Sequence, residues 1–207
     1  MKRGLVLDWI GYQEAKAGIR AWYHRPEMPV GKLVKIGVWE DGEFAGVVLF
    51  GMSASDALGR RWGLGTFEVC ELARLALRPG HRCQVSRVIR VAVLMLRRHC
   101  PGIRAVVTFA EAEHIGSVYQ AAGWIYTGTT SPARQYTDRA GRTWHSRMVS
   151  ATGWKKSPRR QYVRAPRPQD CTVTRIPGKH RYVLPLDPAI MDAVKATAQP
   201  PPRARDS

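Results

Sequence analysis

The sequence predicts an α/β protein built on a central mixed, twisted sheet with flanking helices, followed by a basic C-terminal extension. Three observations lead there. LVKIGVWE (33–40) and EFAGVVLFG (43–51) flank Asp41-Gly42, a dipeptide suited to the type I′ turn of a β-hairpin, whose two central residues need positive φ. From Val85, apolar residues recur at 88, 89, 92, 95 and 96, while Ser86, Arg87, Arg90 and Arg97 fall off that stripe, the period of an amphipathic helix. β-Rich segments on either side of this helix, 67–77 and 103–109, complete a strand–helix–strand crossover of the kind that sets two strands parallel.

The remaining elements follow in order. Leu5 to Asp8 reads as a short strand, and Gln13 to Trp22 as a helix stopped ahead of Pro26 and Pro29. After the hairpin, MSASDALGRRWGLGT (52–66) is glycine-rich and polar, a surface loop. FEVCELARLAL (67–77) is a strand, although Glu71 to Leu77 also suits a helix by propensity; Pro79-Gly80 ends it. Residues 105–128, AVVTFAEAEHIGSVYQAAGWIYTG, give a strand, a short helix carrying Tyr119, and a turn at Gly123-Trp124 into another strand. At about residue 150 the composition shifts: residues 151–207 hold 12 Lys or Arg against 4 Asp, a net of +8, with many prolines. This divides the chain into a core, 1–150, and a basic extension, 151–207. Within the extension HRYVLPLD (180–187) is a candidate strand, whereas PPPRARDS (200–207) has the composition of a disordered end.

A length of 207 residues supports one buried core plus an appendage. Lys and Arg number 33 against 16 Asp and Glu, a net charge of +17, so the surface attracts phosphate polyanions. Nucleic acid is the leading partner, with a merely basic protein or an anionic membrane surface as the alternatives. Cys70, Cys83, Cys100 and Cys171 lie far apart without a C-x-x-C pair, so no disulfide framework is expected. Asp8 interrupts the N-terminal apolar run, and no stretch reaches the ~18 apolar residues of a membrane span; the chain reads as cytoplasmic.

The turn RPGHRCQVS (78–86) leads from a strand into the amphipathic helix, where exposed N–H groups and the helix dipole can hold a pyrophosphate. Arg78, Gly80, Arg82, Val85, Ser86 and Arg87 are the candidates; the plain alternative is that Pro79-Gly80 only turns the chain.

The order of elements in 105–128 resembles the second half of an acyl-coenzyme-A-dependent N-acyltransferase fold. In such proteins the turn before the helix usually reads R/Q-x-x-G-x-G/A; here Arg78 and Gly80 are present with a different glycine spacing. More narrowly, GKLVKIGVWEDGEFAGVVLFG, CELARLAL, QVSRVI and IGSVYQAAGWIYTG, in that order, resemble the Mom family of bacteriophage DNA-modification proteins over roughly residues 22–130. The resemblance implies an N-acyltransferase-like fold. It also implies double-stranded DNA as the partner and conversion of adenine in phage DNA to an N6-carbamoylmethyl derivative, which shields the phage from restriction.

The resemblance carries over Arg74 and Tyr119, and points to Glu111, where the family usually has Asp. It points too at Tyr23 and His24, where the family tends to show His followed by Tyr. The implied donor is acetyl-coenzyme A or a related compound. Attack of an amine on a thioester carbonyl gives an N-acyl product, whereas the carbamoylmethyl group is joined through its methylene carbon. Either the donor therefore differs from acetyl-coenzyme A, or a further step, metal- or redox-assisted, activates the methyl carbon and installs the amide nitrogen; Tyr23, His24 and Glu111 are iron-ligand types.

The chemistry of the substrate supports the same residues. Adenine's exocyclic amine donates its lone pair into the ring, so it gains from a positioned base such as His24 or Glu111. Arg74 can hold a phosphate or developing negative charge, and Tyr119 can protonate a leaving thiolate or stack on the base. Reaching the amine calls for base extrusion, hence aromatic residues: Trp22, Tyr23, Trp62 and Tyr119. Lys155, Lys156, Arg159, Arg160, Arg164 and Arg167 would grip phosphates. Each residue also has a structural reading: Arg74 paired with Glu71, Tyr119 as a core aromatic, Glu111 opening a helix, His24 as a loop histidine, the basic run as a solvated tail. Two further functions fit the same chain, a conventional N-acetyltransferase of a protein or small amine, and a non-catalytic DNA-binding protein.

Overall fold

A computed structural model of the chain describes residues 4–52, 57–156 and 161–203. The chain begins with β1 (Leu5–Trp9), α1 (Tyr12–Trp22), β2 (Leu33–Glu40) and β3 (Glu43–Met52). It continues with β4 (Val69–Leu77), α2 (Val85–His99), β5 (Ala105–Ala110), α3 (Ser117–Ala121) and β6 (Ile125–Thr129). Five short strands come next: β7 (Ala133–Thr137), β8 (Thr143–His145), β9 (Trp154–Lys156), β10 (Tyr162–Arg164) and β11 (Thr172–Ile176). β12 (His180–Pro185) and α4 (Met191–Lys195) close the chain.

Seven strands form the main sheet in the order β1-β2-β3-β4-β5-β12-β6. It is mixed, as expected: β4 and β5, joined by α2, run parallel, while the pairs β1/β2, β2/β3, β3/β4 and β5/β12 are antiparallel. Asp41 and Gly42 take φ of 53° and 88°, the two positive values a type I′ turn demands.

β3 reads as an almost unbroken apolar run because both its faces are covered. Val48 and Phe50 point into the cluster that receives Val88, Ile89, Ala92, Val93 and Leu96 of α2. Val47 and Leu49, one residue out of step, pack on Ala15 and Ile19 of α1. Gly18 lets α1 approach this closely, since a Cβ there would lie 2.5 Å from Val47 Cγ2. α2 gathers Arg97, Arg98 and His99 in its last turn, where cations suit the negative end of the dipole.

The domain boundary differs from the sequence expectation. The chain divides into two compact units, one from residues 1–110, 114–128 and 180–207, the other from 111–113 and 129–179. Residues 151–207 are therefore not one extension. The candidate strand at 180–187 exists as β12, but it belongs to the main sheet, between β5 and β6, with Tyr182 and Val183 fully buried. Burying those two side chains ties the end of the chain to the core, and at 200–203, where disorder was expected, the Pro202 carbonyl accepts from Gln120 Nε2 of α3 at 3.4 Å. Residues 204–207 lie outside the described residues.

The second unit holds the three-stranded sheet β11-β7-β8 and the hairpin β9-β10. Asp138 pins the β7–β8 turn, accepting from Ala140 N, Arg142 N and Trp144 Nε1, each at 3.0 Å. All four cysteines are free thiols, and burial pushes the Cys70 thiol up to about 12, which leaves it unreactive. Among the described residues no helix is long and apolar enough to cross a membrane.

Candidate active site

β4 and β5 share a parallel ladder for only three residue pairs, Val69–Glu71 with Ala105–Val107. Beyond Glu71 the ladder ends although both strands continue. On its other edge β4 is bulged: Leu49 faces Arg74 and Phe50 faces Leu72, so Ala73 is the extra residue. Bulges re-aim side chains, and crevices at the carboxyl ends of parallel strands are where α/β sheets take ligands.

Four polar side chains of the first unit meet at this opening. The Arg74 guanidinium lies 5.0 Å from the centre of the Tyr23 ring, a cation–π contact. Its Nη1 donates to the Ala73 carbonyl at 2.7 Å, while its buried Nε meets no acceptor among the described residues. Tyr23 ends α1, its N–H donating to the Ile19 carbonyl at 3.0 Å. On β5, Thr108 Oγ1 donates to the Leu72 carbonyl at 3.2 Å across the end of the ladder. Tyr119 of α3 completes the group: burial raises its phenol above the usual range, the neighbouring Thr108 hydroxyl pulls it back in part, and Tyr23 and Tyr182 raise it further. Its ring packs on Trp124 at 5.6 Å and Tyr182 at 5.5 Å.

Tyr182 in turn is fixed by α3 and the turn before it, its hydroxyl donating to the Ile115 carbonyl and accepting from Gln120 Nε2 at 3.0 Å. Sequence reasoning singled out Tyr23, Arg74 and Tyr119 but missed Thr108 and Tyr182. The alternation of β5 could have flagged Thr108 as a hydroxyl in an apolar strand.

His24 stacks beside Tyr23 with ring centroids 4.3 Å apart. Glu111, the expected carboxylate, falls in the second unit and accepts from Lys179 Nζ at 2.7 Å, so its charge is already committed to an ion pair. Among the described residues no group of three or more His, Cys, Asp or Glu is placed to hold a metal. His24 and Glu111 therefore do not fit the iron-ligand role, and no metal-dependent step is assigned to them or to Tyr23.

The turn at 78–86 departs from its expected role. Gly80 turns the chain at φ 75°, but the anion in the turn is the chain's own Glu40, 6% exposed. Its carboxylate accepts from Arg82 N at 2.9 and 3.0 Å. That backbone bond, aided by the charges of Arg82 and Arg78 and a second amide at Cys83, outweighs burial and holds the Glu40 carboxyl below the usual range. Arg78 pairs with Glu43 at 2.6 Å and with Glu40 at 3.6 Å, and Arg82 with Asp41 at 2.6 Å. Val85, Ser86 and the exposed Arg87 begin α2, whose N-cap Gln84 makes no side-chain cap. The amides of Arg82 and Cys83, which an incoming diphosphate would use, are taken by Glu40.

The expected DNA contacts separate by where they fall. Trp62 is a correction: it is 4% exposed, its Nε1 donating to Thr197 Oγ1 at 3.1 Å, so it is core. Trp22 is half-buried against Phe44, ring centroids 5.5 Å apart. Lys155, Lys156, Arg164 and Arg167 lie in the second unit, Arg167 paired with Asp170 at 2.7 Å. Arg159 and Arg160 lie outside the described residues.

A bulged β4 that parts from a parallel β5 after an α2 crossover, with a tyrosine-bearing helix after β5, defines an N-acyltransferase-like fold. Solved structures agree. A protein assigned as a phosphinothricin N-acetyltransferase superposes with a TM-score of 0.51 at 13% identity, over 89% of this chain and 99% of that one. The aminoglycoside acetyltransferase AAC(6')-Ib, in complex with coenzyme A and kanamycin, gives 0.51 at 11% identity, over 94% and 99%. No curated protein matches the sequence. The profile of the Mom protein family matches residues 4–203, and the chain belongs to that family.

Proposed function

We propose that this protein is a transferase that modifies adenine in DNA on its exocyclic amine, giving the N6-carbamoylmethyl base that protects phage DNA from restriction. The observation that carries the proposal is the meeting of Tyr23, Arg74, Thr108 and Tyr119 where β4 and β5 part, in a Mom-family chain of net charge +17. A buried Arg Nε without an acceptor awaits an oxygen, because a buried donor left unpaired costs about 1–3 kcal/mol. A phosphate or a carbonyl oxygen gaining charge supplies it.

The raised phenol of Tyr119 stays protonated at neutral pH, so its part is that of a proton donor rather than a base. Tyr23, in contact with Arg74 and His24, sets an aromatic edge at the opening where an extruded adenine would arrive. His24 is the group next to that ring suited to accept the amine proton. In the coupling the donor's methylene carbon gains its bond to N6 as it loses its bond to a leaving group of the donor; His24 takes the proton that N6 sheds, and Tyr119 gives one to the departing group.

The test is the mass of nucleosides from the DNA of cells expressing the protein. An adenosine heavier by one carbamoylmethyl group is expected, and only unmodified adenine alongside folded protein would refute the proposal.

A further inference from the structure

The second unit carries a surface that the reaction does not use. β9 and β10 pair in the register Trp154–Arg164, Lys155–Val163, Lys156–Tyr162. Side chains alternate across a strand, so Trp154, Lys156, Tyr162 and Arg164 share one face of the hairpin. That face is two aromatic–cation pairs set side by side. The Arg164 guanidinium lies 5.6 Å from the centre of the Trp154 ring. Trp154 is nevertheless 49% exposed and Tyr162 70% exposed.

Two large aromatics held open to solvent on a two-stranded hairpin contribute little to folding. Diagonal neighbours of this kind stand about 7–8 Å apart, roughly twice the 3.4 Å rise of stacked bases in one strand. A strand whose bases have been pulled apart matches that spacing; a stacked duplex presents no base faces to it. At the foot of the hairpin a recess of about 360 Å³, lined by Trp154, Arg164, Pro166 and Arg167 among others, has room for a nucleotide base. Charge favours the same ligand. Residues 129–179 hold 12 Lys or Arg and only two acids, Asp138 and Asp170, both already paired with arginines.

We propose that the β9–β10 hairpin binds an unstacked stretch of single-stranded nucleic acid, with bases stacked on Trp154 and Tyr162 and phosphates held by Lys156 and Arg164. This rests on the reading that DNA is the partner. It adds a place for a strand opened during base extrusion, on the second unit.

Fluorescence anisotropy of the full chain with a labelled single strand, its duplex, and anionic vesicles tests it. The double variant Trp154→Ala/Tyr162→Ala should raise Kd for the single strand at least about tenfold, as loss of base stacking does, while duplex binding changes less than about twofold. Lys156→Ala/Arg164→Ala should weaken both DNAs and make the salt dependence shallower by about 1–2 in log–log slope. Thermal melts should coincide with wild type, because all four side chains are exposed. Wild-type single-strand affinity in the aromatic variant overturns the hairpin assignment and leaves DNA as partner intact. Wild-type protein that binds vesicles but neither DNA overturns both.

Discussion

The Arg74 guanidinium rests 5.0 Å from the ring centre of Tyr23, joining the end of α1 to the bulge of β4 at the mouth of the crevice. Among the described residues it forms no ion pair, and its buried Nε is unpaired. A purely structural arginine would be expected to meet a carboxylate there. Arg74→Ala should lower DNA modification about 10²–10³-fold, the scale of losing one positioned donor to a developing charge. Arg74→Lys keeps the charge but not the planar fork, and should recover little of it. Time courses of modified adenine with purified protein would check both.

Tyr119→Phe removes only the hydroxyl and keeps the ring on Trp124 and Tyr182. A proton donor contributes typically about 10²–10⁴-fold, and a loss in that range is expected with DNA affinity unchanged. Because the phenol is raised, the wild-type rate should not decline through neutral pH on its account. The decline should come only as pH climbs through a value above the ordinary 10.0. A pH–rate profile that lost this limb in the phenylalanine variant would identify Tyr119 as its source.

Glu40 makes stability depend on acid. Its folded carboxyl sits below the ordinary 4.5, so the stabilisation is fully present above that value and is lost as pH falls through the lower folded one. Glu40→Gln should destabilise the protein at neutral pH and flatten the acid limb of a urea-midpoint plot. The same variant, having lost the anion in the turn, should bind coenzyme A more tightly than wild type by calorimetry.

Tyr182→Phe removes a hydroxyl that donates to the Ile115 carbonyl and accepts from Gln120 Nε2, while Gln120 Nε2 keeps its own bond to that carbonyl at 2.9 Å. A cost of about 0.5–1.5 kcal/mol is expected. For a chain of this size each kcal/mol lowers Tm by about 2–4 °C, which scanning calorimetry reads directly.

Local signals in the sequence were enough for the elements whose cause is local. Asp41-Gly42 sets its own turn, and the stripe from Val88 to Leu96 sets its own helix. β12 is different: HRYVLPLD reads as a strand, but its place between β5 and β6 depends on partners across an inserted unit, and nothing in its own pattern names them. Arg74 and Tyr119 were legible as residue types suited to the chemistry. Glu40 was not, since a carboxylate at a hairpin end reads as a surface group until the backbone of Arg82 is seen to fold over it. Trp62 was read as open because its loop is glycine-rich, whereas the loop folds its ring into the core.

Whether the crevice residues modify adenine in DNA is tested most directly by mass spectrometry of nucleosides from cells expressing wild-type, Arg74→Ala or Tyr119→Phe protein at equal levels. A carbamoylmethyl adenosine in the wild type that is lost or sharply reduced in both variants is predicted. Unmodified adenine in all three, or equal modification in all three, would contradict that role for the crevice.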